Sequence, residues 1–509
     1  MKKIIAITLL LWCVHAIYAQ QYFDVTKYGA KKDSSAKVTA AIKNAIDAAS
    51  KVGGGTVYFP AGKYLTGPIH LKSNITIFID AGAELHFSDD FDDYLPMVES
   101  RYEGVDVMSF SPLFYAYKAE NIAILGRGKI NGHGKKWWDF VEGYKKDQPR
   151  SKWQYIFDSL NKNILLPDDP AQMKRGFLRP PFIQPMYCKN ILIEGITITN
   201  SPFWTVNPEF CENVTINAVT INNPLSPNTD GINPESCKYV HISNCHISVG
   251  DDCITIKSGK DVPGRTKAMP AENYTITNCT MLSGHGGVVI GSEMSSGVKK
   301  ITISNCVFDG TDRGIRIKTT RGRGGVVEDI RVDNIVMKNI KQQAIVLDMQ
   351  YSKVPAEPLS ERTPQFRNIR LSNITAYTKQ AMYINGLDEM AVQEVSLNDV
   401  VFEAETGIVI KNAKDIELHN VRVNTKTGSA LQAEKTERLD IDGLLTAKPI
   451  TDVPLIKLNN VQDVMLRNCW PFAGTKIFAA INGAETKNVK LVNNELGEAA
   501  VVYGEEVKK

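Results

Sequence analysis

Four short phrases between residues 228 and 318 place charged or titratable side chains where the surrounding β-rich pattern has apolar or small residues. They are Asn228-Thr229-Asp230-Gly231, Gly250-Asp251-Asp252, Gly284-His285-Gly286 and Arg316-Ile317-Lys318. Asp251 follows Asp230 by 21 residues, and the later steps are longer by a loop. If each step is one turn of a stacked β structure, with turns about 4.8 Å apart, the phrases form a row roughly 15 Å long.

These side chains suit acid–base chemistry on a sugar. Three aspartates without a nearby Ser or Cys nucleophile constellation favour proton transfer to and from a glycosidic bond. Repulsion among clustered aspartates raises the pKa of one of them, which separates an acid from a base. Taken singly, each phrase has a plainer interpretation as an Asx turn, a loop or a solvated strand. The four phrases in one row favour a site.

Two local features decide whether these side chains converge. Consecutive strand residues point to opposite faces, so Asp251 and Asp252 share a cleft only if the backbone bends, and Gly250 permits such a bend. Arg316 and Lys318 stand at i and i+2 and therefore point the same way. Because arginine binds a carboxylate in bidentate fashion, this pair predicts an acidic polysaccharide as the substrate.

A repeat organises most of the chain. A phrase of the type Asn-hydrophobic-x-hydrophobic recurs about every 21 to 29 residues, for example at Asn190-Ile-Leu-Ile, Asn213-Val-Thr-Ile and Asn488-Val-Lys-Leu. Its period-two alternation predicts short strands, and a unit of this length cannot bury its own apolar face. We therefore predict an all-β fold, a single-stranded right-handed parallel β-helix. An N-terminal capping helix is predicted over Thr39 to Lys51.

The chain divides into a leader and one domain. In residues 1–19, Lys2 and Lys3 precede an apolar stretch and Ala19 ends a plausible cleavage site, which predicts a secretory signal peptide. A lipoprotein anchor at Cys13 is the alternative. Residues 20–509 are predicted to form a single parallel β-helix catalytic domain, with an N-terminal cap region at 20–75 and a rim loop inserted at 140–178. An exported protein, periplasmic or secreted and without a membrane span, is expected.

The charge balance limits the classes of partner. The chain has 59 Lys and Arg against 56 Asp and Glu, a net charge of +3, and loss of Lys2 and Lys3 with the signal peptide leaves +1. A near-neutral chain gives no support to nucleic-acid binding, so we predict none, and we predict a monomer. No Cys/His cluster has zinc-ligand spacing, so neither a metal nor another cofactor is predicted.

Asparagine and cysteine recur together at Asn244-Cys245, Asn278-Cys279 and Asn305-Cys306. Equivalent positions on stacked repeats would align these cysteines as small buried hydrophobes, so reduced core cysteines are predicted, although export would permit disulfides. The recurring asparagines fit an inward turn whose side-chain amides stack in a ladder.

At the four phrases the chain resembles glycoside hydrolase family 28, the polygalacturonases and their relatives. The phrases stand in the family's order and at compatible spacing. The resemblance extends through Lys257-Ser258-Gly259-Lys260, Gly291-Ser292-Glu293-Met294 and Asp312-Arg313-Gly314. The opening Phe23-Asp24-Val25 is similar to the family's N-terminal cap, so the resemblance covers nearly the whole chain after the signal peptide.

The resemblance implies a single-displacement, inverting hydrolysis of α-linked galacturonate in pectin or its oligosaccharides. It makes Asp251 the general acid, and it makes Asp230 and Asp252 the residues that activate water. It also implies that His285 tunes the protonation of the acid and contacts the substrate. The substrate-binding residues that it implies are Asn228, Arg316, Lys318 and Tyr351.

Several activities stay open at this point. Segment 140–178 and the insertion from Asp261 to Ala271 could wall off one end of the cleft, so exo cleavage is predicted over endo cleavage. A rhamnogalacturonan hydrolase would share the acid and the base, and a Ca²⁺-dependent pectate lyase would use the same solenoid with its aspartates on the ion. A non-catalytic carbohydrate-binding solenoid is a further alternative. The pair Arg316 and Lys318 favours galacturonate at the cleavage point.

Overall fold

The computed structural model describes residues 22–143, 149–163 and 178–507. The predicted signal peptide at 1–19 lies outside these residues, and so do parts of the predicted rim loop at 140–178. Within the described residues, no helix has both the length and the apolar character needed to cross a membrane.

Short strands make up most of the described chain, with helices near the N-terminus and at the loops. The helices are α1 (Thr39–Lys51), α2 (Lys135–Glu142), α3 (Lys152–Asn161) and α4 (Asp261–Lys267), with 3₁₀ turns at Val25–Tyr28 and Phe91–Tyr94. The strands of the first half are β1 (Tyr22–Asp24), β2 (Asp33–Lys37), β3 (Gly55–Phe59), β4 (Gly62–Thr66), β5 (Ile69–His70), β6 (Ile75–Ile79), β7 (Ala83–Phe87), β8 (Val98–Tyr102), β9 (Val105–Ser109), β10 (Phe114–Tyr117), β11 (Glu120–Gly126), β12 (Lys129–Asn131), β13 (Ile183–Met186), β14 (Lys189–Glu194), β15 (Thr197–Thr199), β16 (Glu212–Asn217), β17 (Thr220–Asn223), β18 (Lys238–Ser243), β19 (His246–Val249) and β20 (Asp252–Ile256). Those of the second half are β21 (Ala271–Thr277), β22 (Thr280–Ser283), β23 (Gly286–Ile290), β24 (Val298–Asp309), β25 (Ile315–Lys318), β26 (Val326–Asp348), β27 (Gln365–Asn385), β28 (Val392–Thr425), β29 (Leu431–Asp442), β30 (Ile456–Asn459), β31 (Gln462–Arg467), β32 (Ile477–Asn482), β33 (Lys487–Val492) and β34 (Ala500–Tyr503).

Strands of successive turns pair in parallel and in register. On one face, Val214 pairs with Val240 and Val240 with Tyr274, and all three side chains are buried. The same buried column continues through Ile301, Ile330, Ile369 and Val395. Each turn buries its apolar face against the next, as the repeat requires. The predicted parallel β-helix is confirmed.

The asparagines of the repeat turn the chain at the corners of the coil. Asn244, Asn278 and Asn305 have φ angles of 58°, 56° and 54°. Asparagine enters this left-handed region at lower cost than most residues, because its short side chain bonds locally. The amides do form a ladder, since Asn334 Nδ2 donates to Asn305 Oδ1 at 2.8 Å and Asn244 Nδ2 to Asn217 Oδ1 at 2.8 Å.

The predicted inward orientation of these asparagines was wrong. All of them are exposed, and the residue that follows is the buried one, as with Cys245, Cys279 and Cys306. The left-handed residue bends the chain, so the amide stays on the outside while the next side chain enters the core. The eight cysteines of the described residues are free and buried, which confirms the prediction of reduced core cysteines.

Helix α1 has the bounds that the sequence predicted. Its buried residues, Ala41, Ile42, Ala45, Ile46 and Ala49, lie on one face. The helix packs against the first strands of the solenoid, β1 and β3 among them. Gly53, Gly54 and Gly55 follow it with positive φ and redirect the chain into β3.

An antiparallel hairpin, β8 and β9, stands out from the coil. The Arg101 guanidinium on β8 is buried and donates through Nε to Glu235 Oε1 at 2.7 Å, which fixes the hairpin to a later turn. Helix α3, from the predicted rim loop, lies against β9, because Asn161 Nδ2 donates to Met108 O and Met108 N donates back to Asn161 Oδ1, both at 2.8 Å. The described part of the rim loop therefore braces this hairpin.

Candidate active site

The backbone brings three of the four charged phrases together through hydrogen bonds between neighbouring turns. Gly231 N donates to Asp252 O at 3.0 Å, and His285 N donates to Asp251 O at 2.7 Å. Arg316 lies on the next strand, where it pairs with Val289 of β23. The 21-residue step and the longer steps are therefore single turns, as the sequence indicated.

Gly250 allows the two consecutive aspartates to share one side of the coil. The chain bends at residues 250 and 251 before β20 begins at Asp252. A Cβ atom on Gly250 would lie 2.0 Å from Ser226 O, so this bend brings the backbone closer to its neighbour than a side chain permits. The glycine is needed for this close approach rather than for a positive φ.

The three carboxylates converge. One oxygen of each of Asp230, Asp251 and Asp252 lies within 4.8 Å of the others. Asp230 and Asp252 are buried at 2% and 1% exposure, whereas the Asp251 side chain keeps 21% exposure. Asp251 is therefore the carboxylate that faces the solvent side of the cluster.

Asp230 is the carboxyl of the cluster whose pKa is raised. Burial and repulsion from Asp251 and Asp252 raise the pKa of Asp230, against the opposing attraction of Lys257. Its Oδ2 accepts from Asn233 Nδ2 at 2.5 Å, and its Oδ1 accepts from Asp252 N at 3.3 Å. The sequence predicted that one carboxyl of this group has a raised pKa, and in the structure that carboxyl is Asp230.

Asp252 is held in its ionised form. Burial acts to raise the pKa of Asp252, but the charges of Lys318 and Arg316 outweigh burial and lower it below its usual value. Lys318 Nζ donates to Asp252 Oδ2 at 2.8 Å, and Arg316 Nη1 lies 3.8 Å from Oδ1. The cluster thus combines a carboxyl of raised pKa and a carboxyl of lowered pKa within 4.8 Å, which is the combination that acid–base chemistry needs.

His285 contacts the most exposed carboxylate. Its Nδ1 lies 3.0 Å from Asp251 Oδ1, and this hydrogen bond raises the pKa of His285 above its usual value, although burial opposes the rise. A Cβ atom on Gly286 would lie 3.2 Å from Asp252 Oδ1. The small residue beside the histidine therefore keeps the cleft open above Asp252.

These groups line a cleft of about 620 Å³. All eight residues predicted for the site lie along it: Asn228, Asp230, Asp251, Asp252, His285, Arg316, Lys318 and Tyr351. The Tyr351 ring is 47% exposed, and the charged groups of Arg316 and Lys318 lie 5.5 and 5.4 Å from its centroid. The cleft thus offers an aromatic face next to two cations.

A model of the glycosyl hydrolases family 28 matches residues 169–425, which include every one of these cleft side chains. The chain belongs to this family. A second model, described as rhamnogalacturonase A/epimerase, pectate lyase-like, matches residues 22–128 in the first turns.

The relatives of this family 28 chain include endo-acting and exo-acting polygalacturonases. A probable polygalacturonase of Vitis vinifera is 34% identical over 62% of this chain, and the match spans 61% of that relative's own length. An endo-polygalacturonase of Pectobacterium carotovorum subsp. carotovorum is 29% identical over 75% of this chain and 88% of the relative. The crystal structure of an exopolygalacturonase from Thermotoga maritima matches with a TM-score of 0.71 and 34% identity, over 79% of this chain and 91% of that one.

The cleft is also lined by charged residues that were not predicted from the sequence to belong to the site. Lys257 Nζ lies 2.8 Å from Glu293 Oε2 and 3.7 Å from Asp230 Oδ2, and 4.3 Å from the centroid of the Trp204 ring. Burial opposes it, but Lys257 and Arg323 lower the pKa of Glu293 well below its usual value, so Glu293 is ionised. Lys257 and Glu293 stand in two of the phrases through which the resemblance to the family extends. That resemblance was the sequence feature that could have assigned them to the site.

The tip of the hairpin described above lines the cleft through Glu103. Asn228 Nδ2 donates to Glu103 Oε1 at the hairpin tip at 3.2 Å. A Cβ atom on Gly104 would lie 2.8 Å from Lys260 Cβ, so the tip contacts the segment before α4. No sequence signal placed residues near 103 at the site, because the hairpin is far from the four phrases along the chain.

Proposed function

We propose that this protein is a polygalacturonase-type glycoside hydrolase that cleaves α-linked galacturonate in pectin or its oligosaccharides. The supporting observation is the cluster of three carboxylates within 4.8 Å beside Arg316 and Lys318 in one cleft. The carboxylates supply acid and base, and the cations supply the partner for the carboxylate of an anionic sugar. The relatives named as polygalacturonases support the same substrate class.

The roles follow from burial and charge. Asp251, the most exposed of the three, protonates the leaving oxygen, since it alone reaches the open side of the cluster. Asp252, ionised by its cations, and Asp230 activate the water. Because one oxygen of each lies within 4.8 Å of the others, the three carboxyls are close enough to titrate as one coupled group.

Family membership supports inversion at the anomeric carbon. The separation of 4.8 Å or less is shorter than the roughly 6.5–9.5 Å typical of inverting pairs, because the aspartates sit on adjacent turns and on adjacent residues. The family's inverting mode therefore has to be measured here. Proton NMR of the first product formed reports its anomer, and a product that retains the substrate's anomeric configuration would contradict inversion.

Exo cleavage is the proposed mode of action. The supporting observation is that the hairpin tip lines the cleft at Glu103 and accepts a hydrogen bond from Asn228, and we infer that the tip limits the passage of a long chain. Sizing of early products from a long oligogalacturonide tests this: release of the monosaccharide or a single short product supports exo action. A spread of mid-length products at early times would support endo action.

Substitution of the acid tests the activity itself. Asp251→Asn should lower the rate of reducing-end release from polygalacturonate about 10²-fold or more, with an unchanged melting curve. Asp388→Asn is the matched control, because Asp388 is exposed, pairs with Lys435 and lies outside the cleft. An Asp251→Asn variant with wild-type activity would contradict the proposal.

The carboxylate cluster also favours one other activity. Three aspartates at this spacing could hold a divalent cation, as in a Ca²⁺-dependent pectate lyase. Against this, Lys318 and Lys257 already place positive charge on Asp252 and Asp230. Activity that is lost with a chelator and gives ultraviolet-absorbing unsaturated products would establish the lyase.

The leader supports export, to the periplasm or the medium. Residues 1–19 have the basic start and the apolar stretch of a signal peptide. N-terminal sequencing of the protein isolated from the producing cells tests this. A mature chain that begins at Gln20 supports export, and an intact Met1 contradicts it.

A further inference from the structure

One arginine of the cleft has guanidinium N–H groups that make no hydrogen bond within the described part of the chain. Arg323 is 9% exposed, and its buried Nε and Nη1 atoms donate to no hydrogen-bond acceptor among the described residues. The nearest acidic oxygens are Asp261 Oδ1, 3.7 Å from Nε, and Glu293 Oε1, 3.9 Å from Nη1. Both distances are too long for a hydrogen bond. Buried donors are nearly always paired, so this guanidinium calls for a partner.

The loop that carries Arg323 is held firmly. Gly322, Gly324 and Gly325 have φ angles of 87°, 68° and 80°, so the glycines around Arg323 adopt a shape that other residues rarely take. Arg265 on α4 donates through Nη1 to the carbonyls of Gly322 and Arg323 at 2.7 and 3.0 Å. The guanidinium is therefore preorganised before any ligand arrives, which lowers the entropy cost of binding.

Arg321, the other arginine of this loop, is hydrogen-bonded to a carboxylate. Arg321 makes two hydrogen bonds to Glu389, at 2.6 Å from Nε and 2.9 Å from Nη2. A carboxylate fork thus pairs with Nε and Nη2 of Arg321, and Nη1 donates to Val354 O at 3.0 Å. Arg323, two residues later, lines the cleft with the same chemical group and no such fork.

We propose that Arg323, which lines the cleft together with Lys260 and Ser292, binds the carboxylate of a second galacturonate. This inference rests on the proposed function. Arg316 and Lys318 stand beside Asp252, whereas Arg323 contacts Glu293, whose other oxygen holds Lys257 near Asp230. The cleft then recognises two neighbouring acidic sugars, one with each group of cations.

A cleft with two binding positions for sugar carboxylates would distinguish homogalacturonan from rhamnogalacturonan. Homogalacturonan presents a carboxylate on every sugar, whereas rhamnogalacturonan alternates galacturonate with rhamnose, which has none. Arg323 would face a neutral sugar in the second polymer, and its buried donors would stay without a hydrogen bond to a carboxylate. The arrangement therefore favours homogalacturonan over the rhamnogalacturonan alternative.

Trigalacturonates that carry a single methyl ester, at each sugar in turn, test this subsite. For the wild type, esterification of the sugar at Arg323 should lower kcat/KM about 10-fold or more, since a charge-assisted bidentate pair is lost. Arg323→Gln should cause a similar loss on the unesterified trimer. On the trimer esterified at that one sugar, Arg323→Gln should cause no further loss, because both changes remove the same interaction.

The controls separate this inference from the proposed function. Arg367→Gln is the matched control, since Arg367 pairs with Glu328 outside the cleft, and it should leave kcat/KM unchanged. If Arg323→Gln does not show the wild-type melting curve, Arg323→Lys, which keeps the charge and loses the fork, is measured on the same set. An active wild type with equal losses on all trimers, or with none, overturns the subsite alone. A wild type that cleaves no trimer overturns the proposed function.

Discussion

The imidazole of His285 and the carboxylate of Asp251 come from neighbouring turns and meet with Nδ1 3.0 Å from Oδ1. The hydrogen bond raises the pKa of His285 above 6.5. The charged imidazolium therefore persists to a higher pH than a free histidine, and it aligns the carboxyl that is proposed to donate the proton.

This contact predicts the basic limb of the pH profile. The raised pKa means that the charged bond is fully present below pH 6.5 and is lost as the pH rises through the higher folded pKa. We expect kcat/KM to fall on that side, and we expect His285→Gln, whose amide does not titrate, to be less active at its optimum and to lose that fall. A basic limb that is the same in His285→Gln and in wild type would show that another group controls it.

We expect Lys318 to control the acidic limb of the pH profile of kcat/KM. Burial alone would raise the pKa of Asp252, and Lys318 is the largest influence that lowers it. Lys318→Met should therefore move the acidic limb of kcat/KM to higher pH, because Asp252 would take up its proton earlier. Lys318→Arg, which keeps the charge, is the control and should leave that limb in place. The limb is measured from kcat/KM on a galacturonate oligomer, and an unmoved limb in Lys318→Met would contradict the role.

Most of the fold could be predicted from the sequence because every turn of the solenoid repeats the same pattern of residues. Every unit alternates apolar residues and turns at a left-handed residue, so the strand columns and helix α1 could be predicted. The direction of the asparagines could not, since alternation alone does not show which side of a left-handed bend a side chain takes. Asn244 outside and Cys245 inside settle it only in three dimensions.

The site was predictable where its residues lie on consecutive turns, and not where it depends on distant segments or on burial. Asp230, Asp251 and His285 are one turn apart, so spacing placed them together. Glu103 reaches the cleft from a hairpin more than a hundred residues earlier, with no pattern to indicate it. Asp230 and Asp252 are both buried, and the raised pKa fell on Asp230 because Lys318 and Arg316 lie beside Asp252 and lower its pKa, which spacing does not report.

The cysteines should be unreactive in the folded protein. The eight are buried and free, and burial raises the pKa of Cys211 and Cys253, which keeps these thiols protonated. Titration with a thiol reagent should find none of the eight in native protein and all of them in denaturant without a reductant. Fewer thiols in denaturant would indicate a disulfide, and fast labelling of native protein would indicate an exposed cysteine.

The asparagine ladder makes a separable contribution to stability. Asn305 has a φ of 54°, accepts from Asn334 at 2.8 Å and donates to Thr277 Oγ1 at 3.3 Å. Asn305→Ala loses these bonds and also loses the short polar side chain that lowers the cost of the left-handed conformation, so we expect a loss of about 2 kcal/mol in the free energy of unfolding. Denaturant titration of both proteins measures it.

Asn305→Gly separates the two causes. Glycine takes the left-handed conformation freely and makes no ladder bond, so this variant should lose only about 1 kcal/mol. If glycine is as destabilising as alanine, the hydrogen bonds of the ladder account for the whole effect. If glycine matches the wild type, the ladder adds nothing and asparagine serves only to turn the chain. An intermediate value shows that each coil is stabilised both by its bend and by the amide bonded to the next turn.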